Sequence, residues 1–316
     1  MTRQKDRSAR PDRPGTAGIP GGMAAMAVAM LLLPVGDAFA KLLTGAMPPL
    51  EVALWRLASQ VLWLLPVAVL LRGRFRGRML SPVVALSGLL MATTLFGLIT
   101  AFAVMPIATA IAIFFVEPLL LTLLAGPLLG EVPGPKRLIA VGVGLVGALI
   151  VIRPSFAAFG PAALFPLLAA LAYALNMILL RRASATRSAL TIQMGASIYA
   201  ALAMAVLVGG LVAAGRLEMA IPALPGWEWA AILGAGATAT AAFVLIAEAF
   251  RRAEASSLAP LQYLEIVGAT AVGYLVFGEF PDRVTWLGVA IILGSGLYVY
   301  RRERQQDRDV GRRVGP

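Results

Sequence analysis

Ten stretches of this chain are apolar over about 20 residues each, the length at which an α-helix rising 1.5 Å per residue crosses roughly 30 Å of hydrocarbon. They run over 22–44, 48–71, 80–104, 107–129, 135–153, 159–181, 188–214, 227–248, 254–277 and 283–300, with Gly, Pro or charge in most of the gaps. Lipid offers no hydrogen bonds, so a spanning backbone must satisfy its own polar groups, and a run of such segments is all-α. With 59% hydrophobic and 14% charged residues, a 316-residue soluble fold could not bury this much apolar surface.

The charge pattern supplies orientation. A formal net charge of +11 would suit a nucleic-acid partner if it formed one patch, but the Lys and Arg come as short clusters between apolar runs. With the N-terminus inside, one side collects Arg3 through Arg13, Arg72 to Arg78, Lys136 and Arg137, Arg181, Arg182 and Arg187, Arg251 and Arg252, and the tail from Arg301. The other side holds Arg153, Arg216 and Arg283. The positive-inside rule therefore places both termini in the cytoplasm. The basic start, the apolar stretch from Met23 and Ala38-Phe39-Ala40 also resemble a cleavable secretory signal, but cleavage would leave nine spans and break the symmetry below. The tails before Met23 and after Arg302 are polar and basic, a composition that predicts disorder near anionic lipid headgroups.

Shifting the sequence by 148 residues pairs 101–133 with 249–281 without a gap. Matches fall at Ala101 with Ala249, Phe102 with Phe250, Glu117 with Glu265, Thr122 with Thr270, Gly130 with Gly278, Glu131 with Glu279, and Pro133 with Pro281. Two Glu pairs at one spacing are not a by-product of apolar composition. The fourth and ninth segments are thus equivalents, and the odd offset of five segments from one to the other turns one half over relative to the other. The predicted fold is an all-α polytopic membrane protein of ten transmembrane helices in two inverted five-helix repeats. Its divisions are a basic cytoplasmic tail over 1–21, repeats over 22–153 and 159–300, and a basic cytoplasmic tail over 301–316.

Several short motifs, in this order and spacing, resemble the drug/metabolite transporter superfamily of the EamA type. They are Leu54-Trp55-Arg56, Glu117-Pro118, Leu129-Gly130-Glu131 with its twin Phe277-Gly278-Glu279, Trp286-Leu287-Gly288 and Gly294-Ser295-Gly296. The resemblance covers nearly the whole chain and implies two EamA repeats around a central cavity, in a bacterial inner-membrane transporter of small organic metabolites. The run Gln262-Tyr263-Leu264-Glu265 resembles a subset of that family rather than its general pattern.

Ionisable groups inside hydrocarbon are expensive, and those that persist are candidates for function. Glu117 and Glu265 lie near the middle of their segments, where inverted repeats would bring them together at the midplane as substrate ligands or proton carriers. The structural reading pairs each with Arg56 or Lys41 as a clamp, or has it donate a proton to a nearby backbone carbonyl in one stable state. Asp37 and Lys41, four apart on one helix face, would neutralise each other; alternatively Pro34 kinks the helix and bares Asp37 to a cation or amine. Asn176, with Tyr173 one turn earlier, is the positional counterpart of Asp37 in the second half. Arg56 either snorkels to the outer surface or pairs with a substrate carboxylate or phosphate. Glu51 reads as solvated, and Glu131 and Glu279 as helix-end structural groups. Trp55, Phe114, Phe115, Tyr173, Tyr199, Phe243 and Tyr263 could wall a pocket, with Tyr173 and Tyr263 singled out by polar neighbours such as Gln262. The small-residue ladders Ala140-Gly144-Ala148 and Ala230-Gly234-Thr238-Ala242 predict close helix approach.

The chain has no Cys and no His, which excludes disulfides, thiolate chemistry and the usual intramembrane zinc sites. No Gly-Lys-Ser or Gly-Lys-Thr loop is present, which argues against ATP drive within the chain. The reading is a secondary carrier, not an enzyme, that rocks its repeats around a midplane cavity without cofactor, metal or catalytic residue. Its partners are a small-molecule substrate and the bilayer rather than nucleic acid, and a homodimer is compatible with it. Its rivals are a passive channel or membrane scaffold and an intramembrane lipid-modifying enzyme.

Overall fold

The computed structural model describes residues 19–130, 134–184, 186–220, 226–253 and 255–313. Its helices are α1 (Ile19–Leu43), α2 (Pro49–Leu70), α3 (Pro82–Phe102), α4 (Ile107–Phe114), α5 (Glu117–Leu129), α6 (Pro135–Phe159), α7 (Phe165–Ala183), α8 (Ala189–Ala213), α9 (Trp227–Arg252), α10 (Ala255–Gln262), α11 (Leu264–Phe277) and α12 (Arg283–Arg313). Ser81 and Ser188 accept from the amides of Val84 and Thr191 to open α3 and α8, and prolines occupy the first turns of α2, α3 and α6. Among the described residues, eight runs are long and apolar enough to cross a membrane; one, Leu138–Ala183, spans parts of both α6 and α7, and Arg283–Tyr298 is a shorter apolar helix.

Several boundaries differ from expectation, among them the end of α6 at Phe159 rather than 153. The fourth and ninth segments are each split in two, by a turn at Phe115 and Val116 and by another at Tyr263. The predicted first helix begins earlier, at Ile19. The tail past residue 300, expected to be disordered, continues α12 helically to Arg313. Its Arg, Glu and Gln are strong helix formers, and no proline interrupts them before Pro316.

Neighbouring helices are arranged by pairs that repeat. Helix α1 runs antiparallel to α9, with Gly22 against Ala249 and Ala253, Gly36 against Thr238, and Phe39 against Gly234. Helix α3 runs antiparallel to α7, with Ser87 bonded to Asn176, Thr94 to the Ala169 carbonyl, and Gly97 packed on Phe165. Helix α2 lies parallel to α9 through Trp55 and Trp229, Ser59 and Gly236, and the Thr240 hydroxyl bonded to the Gln60 carbonyl. Helix α3 lies parallel to α8 through Val84 and Gly195, then Gly88 and Tyr199. Exchanging α1 with α7, α2 with α8 and α3 with α9 turns the first pair into the second and the third into the fourth. Helices α6 and α12 face one another antiparallel, with Gly144 on Ser295 and Gly147 on Ile291.

Close approach is the common device, because lipid supplies no hydrophobic force between helices and packing must do the joining. A Cβ on Gly88 would stand 2.6 Å from the Tyr199 Cβ, and one on Gly236 2.6 Å from the Ser59 carbonyl carbon. These two glycines are separated by the same 148-residue shift as the glutamates. The predicted ladder on α6 is an interface throughout, with Ala140 and Ala148 buried; on α9 Gly234, Thr238 and Ala242 meet neighbours, but Ala230 is exposed. Helix α4 forms the centre, buried from Ile107 to Ile113, whereas Leu62, Val69, Leu70, Val206 and Leu275 point outward as a lipid-facing surface would.

The two ends differ in charge. At one end Arg74 pairs with Glu248 at 3.5 Å, the Arg76 amide bonds Ser188 and Thr191, Arg187 bonds the Arg78 carbonyl, and Arg252 lies against Gly21. At the other end are Lys41, Met105, Glu279, and Glu51 with Ala220.

Candidate functional site

Two broken helices prepare the centre of the molecule. The Phe115 amide donates back to the Ile111 carbonyl to close α4, and α5 begins at Glu117 with Pro118 at its second position, so Pro118 withholds one backbone donor where the helix restarts. The second half breaks at Tyr263 although Ile266 stands where the first has Pro118. In both, the Glu occupies the first turn of the restarted half-helix, where a carboxylate meets the positive end of the peptide dipoles. Both half-helices also end alike. Gly130 and Gly278 take left-handed φ of 73° and 68°, each donating back to equivalent carbonyls, Ala125 with Gly126 and Gly273 with Tyr274.

Rings gather at the breaks. Phe114 meets Tyr173 of α7 edge-on at 5.6 Å, and Phe115 meets Tyr263 at 5.7 Å. Tyr173 is within electrostatic reach of both Glu117 and Glu265, Tyr263 within reach of Glu117, and Asp37 within reach of Glu265. Neither Glu117 nor Glu265 is fully buried, and among the described residues neither makes a hydrogen bond or an ion pair. Helices α1, α4, α5, α7, α10 and α11 thus bring together Asp37, Phe114, Phe115, Glu117, Tyr173, Tyr263 and Glu265. Pro34 of α1 rests on Gly268 of α11, 3.1 Å from where a Cβ would be, which brings α1 close against the restarted helix.

Several expectations are corrected by the partners that the fold supplies. Asp37 does not neutralise Lys41. It accepts from Arg56 Nη1 at 3.0 Å, with both side chains buried. Arg56 therefore does not snorkel outward; α2 turns it into the bundle, because α9 packs beside α2 and Gly36 leaves room for the guanidinium. Lys41 is drawn instead to Glu279, 2.6 Å away, and to the Met105 carbonyl at 2.8 Å. With Arg56 and Lys41 taken, the clamp reading of Glu117 and Glu265 loses both its proposed bases. Glu51 is not solvated: it is fully buried and accepts from the Ala220 amide, because the segment after α8 folds back over α2. Its partner Ala220 is unrelated to it by sequence spacing, so nothing local signalled the contact.

The remaining candidates are placed apart. Asn176 is buried and accepts from Ser87 Oγ at 2.6 Å, facing α3. Gln262 ends α10 in an exposed position. Trp55 meets Trp229 edge-on at 6.1 Å, its Nε1 without a partner among the described residues, and Tyr199 packs on Gly88. Glu131 and Pro133 lie outside the described residues. Sequence reasoning overlooked Ser87 and Thr238. The first gave no signal beyond its position in an apolar helix; the second was seen as a small packing residue, while its hydroxyl lies against Gly36 beside Arg56.

Comparison with known proteins places these features in context. The family model described as the EamA-like transporter family matches residues 20–153 and again 160–301. The chain is 30% identical over 192 residues to a riboflavin transporter of Rhizobium johnstonii, covering 61% of each protein. It is 30% identical to a riboflavin transporter of Vibrio cholerae over 62% of that protein. An S-adenosylmethionine uptake transporter of Rickettsia prowazekii is 26% identical over 273 residues, 86% of this chain and 89% of that protein. A crystal structure with 21% identity shares the fold at a TM-score of 0.57, covering 88% of this chain and 96% of that one. The match spans about three fifths of the length of the first of these relatives.

Proposed function

Because the chain belongs to the EamA-like transporter family, we propose that it is a secondary transporter of a small organic metabolite, working by alternating access around Glu117, Glu265 and the rings beside them. The observation that carries the reading is the pair of helices broken at equivalent places, each restarting on a carboxylate beside Tyr173. Interrupted helices in inverted repeats are where carriers hold substrates and coupling ions. Ten crossings in two inverted five-helix repeats, over 22–153 and 159–300, are supported by the antiparallel pairing of α1 with α9 and α3 with α7. The basic end carries both tails and faces the cytoplasm of a bacterial inner membrane, a reading supported by its Arg clusters. Substrates like those named for the relatives, riboflavin and S-adenosylmethionine, are the first to try.

Glu117 and Glu265 exchange protons as they bind and release substrate, which couples transport to a proton gradient. Purified protein in proteoliposomes, loaded on one side with riboflavin or S-adenosylmethionine, should show saturable flux stimulated by substrate on the opposite face. Flux that is neither saturable nor stimulated would support the channel reading instead. Glu117→Gln with Glu265→Gln should abolish pH-dependent transport while leaving the protein folded. Unchanged rate and pH profile in that double variant would remove the carboxylates from the mechanism.

A further inference from the structure

Lys41 lies within the last turn of α1 and does not face the central glutamates. Its Nζ donates to Glu279 Oε1 at 2.7 Å and Oε2 at 2.6 Å and to the Met105 carbonyl at 2.8 Å, and it stands 5.0 Å from the Phe277 ring. Glu279 directly follows the left-handed Gly278 that ends α11, and its own amide is held by the Gly273 carbonyl. Met105 lies in the turn between α3 and α4. One ammonium therefore joins the end of α1 and the α3–α4 turn, both from the first repeat, to the end of α11 in the second. Side chains of the pair are only 12% and 28% exposed, so the bond is partly shielded from water.

An inverted counterpart exists at the other end. Helix α7, the equivalent of α1, runs in the opposite sense and finishes on Arg181 and Arg182. Arg182 Nη2 donates to the carbonyl of Leu128, near the end of α5, the equivalent of α11. Here the second repeat supplies the cation and the first supplies the acceptor. The 148-residue shift puts Glu131 in the place of Glu279. Glu131 itself lies outside the described residues.

We propose that these are two latches, one at each end of the bundle, that must release in turn for the repeats to part. The outer latch is Lys41 with Glu279, Met105 and Phe277; the inner one is Arg182 with the Leu128 carbonyl near the end of α5. This inference rests on alternating access around the central site, but it assigns Lys41 a positioning role rather than a substrate-binding one. An ion pair suits a latch because it is short-ranged: once the partners part by a few ångströms, water solvates both and little resists further opening.

The chain has no cysteine, so spin labels can be introduced in pairs without removing native residues. Labels at Gly45 and Arg283 report on the outer end, and labels at Ser184 and Leu128 on the inner end, both read as distance distributions in reconstituted protein. Lys41→Met should raise the long-distance population at the outer pair by about two- to fivefold, the release expected of one partly exposed ion pair, and leave the inner pair unchanged. Glu279→Gln should do the same, and Lys41→Glu combined with Glu279→Lys should restore the short distance. Arg182→Ala should open the inner pair alone. Unchanged outer distances in both single variants, or loss of short distances at both ends together, would overturn the proposal. The readout needs no substrate, so it can succeed even where the carboxylate variants leave transport intact, and the reverse.

Discussion

The two repeats share their backbone devices but not their charges. Each breaks a helix at the same place, restarts it on a glutamate and ends it on a left-handed glycine. Each packs a glycine of its third helix, Gly88 or Gly236, against a helix of the other half. Yet where α1 of the first repeat buries Asp37 in an ion pair with Arg56, its equivalent α7 in the second holds Asn176, which takes a neutral hydrogen bond from Ser87 of α3 across the repeats. The difference teaches that the repeat preserves its backbone geometry, while the polar groups beside the centre are free to diverge. A symmetric path with an asymmetric lining can bind an asymmetric molecule.

The comparison breaks most readily at the ion pair. Arg56→Leu leaves Asp37 buried and uncompensated, and should cost about 3–5 kcal/mol of stability, seen as a large fall in the unfolding midpoint in detergent. Asp37→Leu with Arg56→Leu should recover most of it, because both desolvation penalties vanish. At the corresponding place in the second repeat, Asn176, removing its donor by Ser87→Ala on α3 should cost only about 1–3 kcal/mol, the price of one unpaired amide oxygen. Equal losses in the two halves would contradict the asymmetry drawn here.

Smaller effects sharpen the shared geometry. Gly88→Ala and Gly236→Ala each force a Cβ to within 2.6 Å or less of a neighbour, and should lose similar stability, about 1–3 kcal/mol by overpacking. A loss confined to one would show that the two close approaches are not equivalent. Gly130→Ala and Gly278→Ala have open space around them but positive φ, so strain alone should cost about 1–2 kcal/mol at each, measured by the same unfolding midpoints.

The smallest effect concerns the start of α12. Asp282 accepts from the Thr285 amide at 2.6 Å, and that bond holds its carboxyl below the usual aspartate range. A lowered native pKa contributes stability that is present above the unfolded value near 4 and fades as pH falls through the native one. Acidification should therefore lower the unfolding midpoint slightly in the parent, and less in Asp282→Ala. An identical acid response in both would remove the cap from the account.

Much of the architecture was legible before any contact was known. Helix lengths, the shift that pairs Glu117 with Glu265, and the glycines ending both half-helices follow from local apolar length and residue identity. The breaks at Phe115 and Tyr263 were not legible, since Pro118 hints at one and the second has no proline in that register. Nor was the burial of Glu51, because its acceptor role depends on Ala220, far along the chain. Tyr173 stands out in the sequence because polar neighbours set it apart from other aromatics, and the fold places it edge-on to Phe114 beside the first break. Ser87 gave no such sign.

The sequence by itself determined that this chain is helical, lipid-embedded and duplicated, because length, hydropathy and repetition are properties of segments read one at a time. Only the tertiary structure decided which charge answers which. Asp37 and Lys41 are neighbours on one helix, yet each binds a partner from another, Arg56 on α2 and Glu279 after α11. The physical reason is that an ion pair depends on a few ångströms of separation, and those are set by how distant helices pack, not by spacing along any one of them.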